Sequence, residues 1–191
     1  MSPRRPPVRL LVAAVAALLV VGAAPAQAAE IEGYAPYQGA TRCSPQAKPG
    51  TTVLARWIVR TQGGAFGGIS RRCSRSYVSE HEEGRAFDWT LDATRARDRE
   101  VAGRFLDLVR TTDRRGNPDA KARRMGIMYI IWNDHMYASY DGGFAKRDYL
   151  SSSCRRKRDC PASLRHRDHM HISLSWAGAR ARTSWYERRA D

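Results

Sequence analysis

The chain has no C-x-x-C pair, no internal repeat and only one extended apolar run. Without C-x-x-C spacing, a cysteine-rich zinc site lacks its usual ligand pairs, so the four cysteines read as two disulfides. Three pairings are open. Cys43 with Cys73 and Cys154 with Cys160 is favoured, because the second pair closes a short loop around a basic segment. Acids are also scarce: 19 Asp and Glu face 33 Lys and Arg, for a net charge of +14. Such a balance suits polyanionic surroundings, and by itself does not choose among wall polymers, anionic lipid and nucleic acid.

The apolar run lies between Leu10 and Ala24, behind Arg4, Arg5 and Arg9 and ahead of Pro25 and Ala26-Gln27-Ala28. It is short for a membrane span and carries the small-residue pattern of a signal-peptidase site. Residues 1–28 are therefore expected to be a secretory signal, followed by an arm over 29–48 and one domain over 49–191. Cleavage after Ala28 removes three arginines and no acid, leaving 163 residues with a net charge of +11. That length supports one domain with a real core. The exported protein is expected to be a monomer without an integral membrane span, in an oxidising compartment.

Periodicity predicts an α+β domain on an antiparallel sheet with flanking helices. Pro49-Gly50 opens a helix with Val53, Leu54, Trp57, Ile58 and Thr61 on one face. Gly63–Gly68 reads as a loop and Ile69–Cys73 as a short strand. Arg85–Leu91 alternates, with Phe87, Trp89 and Leu91 on one side and Asp88 on the other. A helix is expected over Thr94–Arg110, with Val101, Phe105, Leu108 and Val109 buried. Asp113–Asp119 is turn chemistry, Ala120–Met125 a short helix and Ile127–Trp132 a central strand. Residues 138–160 read as a long surface loop. In the last strand, His169–Trp176, Met170, Ile172 and Leu174 oppose His169, His171 and Ser173.

Only five histidines exist, and three crowd into Arg165–His171. Zinc accepts imidazole nitrogen and carboxylate oxygen in a tetrahedral array, and a catalytic site keeps one position for water. Asp88 stands on the polar face of its strand. His81 lies in a glycine-containing loop seven residues earlier, and His171 stands on the polar face of another strand. Two adjacent strands bring these three together with a fourth corner open, and water held there becomes a nucleophile near neutral pH. Period-two geometry puts His169 beside His171, as a fourth ligand or as a proton shuttle. Asp168 is the rival base, although strict alternation points it away. His135 and His166 read as bystanders, and Glu80, Glu82 and Glu83 as a solvated loop.

The pattern Ser79-x-His81-x-x-Gly84-x-Ala86-x-Asp88, followed far downstream by His169-x-His171, resembles the zinc peptidases grouped with D-alanyl-D-alanine metallopeptidases and the hedgehog signalling-domain fold. With Ile130-Ile131-Trp132-Asn133 and Ser173-Leu174-Ser175-Trp176, it is similar to a subgroup of secreted bacterial proteins carrying such a domain. The resemblance spans roughly residues 50–186. It implies zinc held by His81, Asp88 and His171. Asp168 falls where some members carry a catalytic glutamate, and His169 where others carry a second catalytic histidine. Arg71 matches an arginine that steadies a substrate carboxylate or oxyanion, and Arg72 is nearly as good a candidate. The implied substrates are peptidoglycan stem peptides.

Three functions follow in order. The first is a secreted, wall-associated zinc peptidase acting on peptidoglycan stem peptides or cross-links, of carboxypeptidase or endopeptidase type. The second is a non-catalytic zinc domain that binds wall or a partner protein. The third, a metal-dependent nuclease suggested by charge and Asn133-Asp134-His135, lacks the rest of a His-Asn-His motif. No nucleic-acid partner is expected.

Overall fold

The computed structural model describes Met1 and residues 31–74 and 78–187. Apart from Met1, the expected signal segment lies outside the described residues. Among the described residues, five α-helices and six strands form a mixed α+β fold, as expected: α1 (Pro49–Gln62), β1 (Ala65–Gly68), β2 (Ala86–Thr90), α2 (Ala96–Arg110), α3 (Ala120–Met125), β3 (Ile127–Trp132), β4 (His135–Ala138), β5 (Lys146–Asp148), β6 (His169–Leu174), α4 (Trp176–Ala179) and α5 (Ser184–Glu187). The strands make one sheet in the order β1-β2-β6-β3-β4-β5, and every neighbouring pair is antiparallel.

The pleat assigns the two faces. Phe87 and Trp89 of β2 and Met170, Ile172 and Leu174 of β6 enter the main core with α1 and α2. Asp88, His169, His171 and Ser173 therefore occupy the opposite face. In β3 the register slips between Ile127 and Tyr129. Met128, Tyr129 and Ile131 consequently form a second, smaller apolar cluster with Ala138. All six residues of β3 are buried, which explains its unbroken apolar run.

Residues 31–48 contain no helix or strand until the cap of α1, but they are pinned at both ends of the domain. Ala35 carbonyl accepts from Ser139 Oγ at 2.5 Å, and Gln38 Oε1 accepts from Trp176 N–H at 2.7 Å. Glu32 accepts from both Ser184 N–H and Ser184 Oγ. Cys43 is bonded to Cys73 and Cys154 to Cys160, the expected pairing. No helix among the described residues is long and apolar enough to cross a membrane. Both facts are compatible with an extracellular protein.

Several local expectations are corrected. The glycine stretch is not all loop: Ala65–Gly68 is β1, held because Phe66 stacks on Phe87 at 5.5 Å and Trp89 Nε1 donates to the Gly63 carbonyl at 2.9 Å. Ile69–Cys73 is not a strand; only Ile69 of it enters the core. Helix α1 is rotated, burying Gly50, Thr51, Leu54, Ala55 and Ile58 and leaving Val53 and Thr61 exposed. Gly50 lies against the backbone of α4, where a Cβ would meet the Gly178 carbonyl at 1.9 Å. In α2, Leu106 is buried where Leu108 was expected. The stretch 138–160 also holds β5, which hydrogen-bonds to β4 and extends the sheet.

Candidate metal centre

The loop carrying His81 is a hydrogen-bonded knot. Ser79 carbonyl accepts from the N–H groups of Glu82 and Glu83, and His81 carbonyl accepts from Gly84 at 3.1 Å. Gly84 has φ +65°, and a Cβ there would meet the Gln46 carbonyl at 2.1 Å, so only glycine closes the loop against the arm. The acids expected to be solvated are instead buried, because each has a partner. Glu83 accepts from Thr41 N–H at 2.9 Å and from Arg85 Nε at 2.5 Å, and Glu82 accepts from Ser74 N–H at 3.1 Å. Arg85, fully buried, also donates to the Leu174 carbonyl at 3.0 Å and to the Gln38 carbonyl. This buried ion network fixes where β2 starts and hence where Asp88 points.

Strand register completes the cluster. Asp88 pairs directly with His171 across β2 and β6. His81 Nε2 lies 3.0 Å from Asp88 Oδ1 and 3.1 Å from His171 Nδ1, which is 3.2 Å from the same carboxylate oxygen. His81 is 4% exposed and His171 7%, so the group sits at the bottom of its site. These three side chains could hold a metal ion.

The outer hydrogen bonds decide which way the lone pairs face. His81 Nδ1 lies 2.6 Å from the Ile69 carbonyl, which only accepts; Nδ1 therefore carries the proton and Nε2 turns a lone pair inward. His171 Nε2 lies 3.0 Å from Ser173 Oγ. Ser173 and Glu80 both lie near the Tyr129 phenol, and Glu80 faces Arg85. Burial, then the Glu80 charge, hold the Tyr129 phenol well above its ordinary value, so it remains a donor. A metal held through Nδ1 puts the His171 proton on Nε2, where Ser173 Oγ accepts it. In that tautomer three acceptors converge, an arrangement that suits a cation or a shared proton. Burial raises the Asp88 carboxyl, but the close approach of the His171 and His81 rings outweighs it and holds the group well below the usual carboxylate range. Burial pushes the His171 imidazole down, favouring the neutral form that ligates.

The other expected residues surround this triangle. His169 Nε2 stands 3.7 Å from Asp88 Oδ1, while its Nδ1 lies 2.7 Å from Asp168 Oδ1. Ser163 Oγ donates to the other Asp168 oxygen at 2.6 Å. Asp168 therefore faces the back of the His169 ring, as alternation required. Arg71 Nη2 is 3.7 Å from Asp88 Oδ2, with its side chain 54% exposed. Arg72 is exposed and makes no contact with the triangle.

One histidine was misread. His166 is not a bystander: its ring centroid lies 4.8 Å from that of His169 and 5.7 Å from that of His171, and Tyr149 meets its edge. Burial, then the charges of His171 and His169, lower its pKa to about 3, so it is a neutral wall of the site. No sequence pattern marks it: His166 reaches the site from a left-handed turn, φ +52°, three residues before β6. His135 is a bystander, bonded through Nδ1 to the Asn133 carbonyl at 2.7 Å.

Comparisons place the chain in one family. No curated protein and no solved structure matches it. The family model described as "VldE, C-terminal domain" matches residues 43–154, a stretch that holds Arg71, His81 and Asp88 and ends before His169 and His171. With more than half of its length matched, the chain belongs to the VldE C-terminal domain family.

Proposed function

We propose that the protein is a secreted zinc peptidase that hydrolyses peptide bonds of peptidoglycan stem peptides or cross-links. The observation that carries this reading is the triangle of two histidine nitrogens and one carboxylate oxygen, with a histidine–aspartate pair beside it. Zinc bonds of 2.0–2.1 Å imply edges of about 3.3 Å between tetrahedral ligand atoms. The edges of 3.0, 3.1 and 3.2 Å come within a few tenths of an ångström of that. Two imidazoles and one carboxylate, with a fourth corner left for substrate or water, match the donor set of catalytic rather than closed zinc sites.

When bound, zinc supplies a Lewis acid and an acidified water. The remaining steps fall to the chain's own side chains. His169 takes and returns the proton at Nε2, because Asp168 holds its Nδ1–H and orients the ring toward the cluster. Asp168 itself is a positioning residue, since both its oxygens are occupied by Ser163 and His169. Arg71 leaves its exposed guanidinium beside Asp88, where it pairs with a substrate carboxylate or the oxyanion. A basic, exported protein suits a wall polymer, which supports stem peptides as substrate.

The test is digestion of purified peptidoglycan and soluble muropeptides, with and without added zinc, read by mass spectrometry. Zinc-dependent loss of one residue, or cleavage of one cross-link, is expected. Should folded, zinc-loaded protein create no new peptide termini, the peptidase reading fails and a non-catalytic zinc domain replaces it.

A further inference from the structure

A second cleft lies on the helical side of the sheet, on the face away from the metal centre. It encloses about 490 Å³ between α1, the turn after α2, α3 and α5. Its floor is apolar, built from Trp57, Met125 and Trp185, and its rim carries Arg114, Arg115, Lys121 and Arg124.

Some cations of the basic surface are answered locally: in the 141–159 region Arg147 pairs with Asp141, Lys157 with Asp148 and Arg156 with Asp159. In the cleft only Arg124 has a carboxylate, Asp113 at 3.1 Å. Arg114, Arg115 and Lys121 are exposed and form no ion pair among the described residues. Asp113 also binds the turn that carries the two arginines, accepting from Arg115 N–H at 2.9 Å and from Asn117 N–H and Nδ2 at 3.1 Å. The acid is thus consumed in building the turn, and the cations are presented on a backbone ordered in advance, which lowers the cost of binding. Cations gathered at one mouth repel each other, and an anion there relieves that repulsion.

The floor selects the rest of the ligand. The rings of Trp57 and Trp185 meet edge to face, 5.4 Å apart at 82°. Perpendicular indoles offer no parallel slot for a flat base, but they make an apolar corner against which the C–H face of a pyranose can lie. We propose that this cleft binds a sugar carrying a phosphate or carboxylate, with Arg114, Arg115 and Lys121 on the anion and the tryptophans under the ring. The site does not depend on the metal centre, and it gives a basic wall-facing protein a hold on an anionic glycan.

The test titrates the full exported protein by calorimetry with glucose 6-phosphate, glucuronate, glucose, inorganic phosphate and adenosine monophosphate. Glucose 6-phosphate and glucuronate are expected to bind at least about tenfold tighter than glucose or phosphate alone, since both halves of the cleft are then used. The triple variant Arg114→Ser/Arg115→Ser/Lys121→Ser alters only exposed side chains; it should keep its melting temperature and lose binding at least about tenfold. Trp57→Phe should weaken glucose 6-phosphate without changing phosphate. Equal affinity for phosphate and glucose 6-phosphate would reduce the cleft to a charge effect and overturn the proposal. So would tighter binding of adenosine monophosphate, or unchanged binding by a folded triple variant. Comparing the monomeric sugars with a soluble sugar-phosphate polymer then tells a metabolite site from a polymer anchor.

Discussion

Ser173 touches no ligand position of the candidate metal, yet replacing it should weaken metal binding. Its hydroxyl accepts the Nε2 proton of His171 at 3.0 Å, in a fully buried setting between β2 and β3. Ser173→Ala leaves that N–H without a partner and frees the ring to adopt the other tautomer, with a proton on Nδ1 pointing into the triangle. An unpaired buried polar group costs about 1–3 kcal/mol, which corresponds to about 5- to 150-fold in affinity. Loss of an outer-shell partner typically costs about 10- to 100-fold. The assay is zinc competition against a chelator of known affinity at neutral pH, with circular dichroism confirming that the metal-free variant is folded. Asp168→Asn is the control, because Asp168 contacts His169 and not the triangle; it should bind zinc normally while losing turnover. If folded Ser173→Ala bound zinc within about twofold of the parent, the tautomer argument would be wrong.

Two further outcomes follow from other parts of the structure. Gly84→Ala places a Cβ 2.1 Å from the Gln46 carbonyl at φ +65°, and should cost at least about 2 kcal/mol in urea unfolding. Gly33→Ala, with nothing within 4 Å, should change stability little. The Asp134 carboxylate is lowered chiefly by the hydrogen bonds from Arg165, at 2.8 and 2.7 Å, which lock the turn after β3 onto the loop carrying His166. Because its folded value lies below the unfolded one, the stability it contributes is present above about pH 4 and is lost as pH falls through the lowered value. Asp134→Asn should therefore be about 1–2 kcal/mol less stable than the parent at pH 7, with the gap closing at acid pH in parallel melts.

Much of the site was legible because strands have a period of two. Once Phe87 and Trp89 were assigned to the core, Asp88 had to face the other way, and the same reasoning placed His169 with His171 opposite Met170 and Ile172. The turn at Asp113–Asp119 and the helix Ala120–Met125 were equally local, set by Pro, Gly and Asp chemistry. What escaped were features decided by distant partners. Glu80, Glu82 and Glu83 look solvated in sequence, and only Arg85, the Ser74 N–H and the arm's N–H groups make their burial tolerable. Strand β1 is too rich in glycine to announce itself, and exists because β2 offers it a partner. His166 reaches the site through a left-handed turn that no periodicity encodes. The rotation of α1 likewise follows from the close approach of Gly50 to α4, a tertiary contact.

The arm over residues 31–48 carries a consequence for the order in which the molecule comes together. Glu32 is bonded to a residue 152 positions downstream, Gln38 to one 138 downstream and Ala35 to one 104 downstream. The arm therefore finds these partners only after most of the chain has been made. Contacts of such long range are slow to form, so the arm is among the last parts of the fold to be fixed. Shorter-range contacts, Thr41 N–H to Glu83 and Arg85 to the Gln38 carbonyl, tie the start of β2, and with it Asp88, to that same arm.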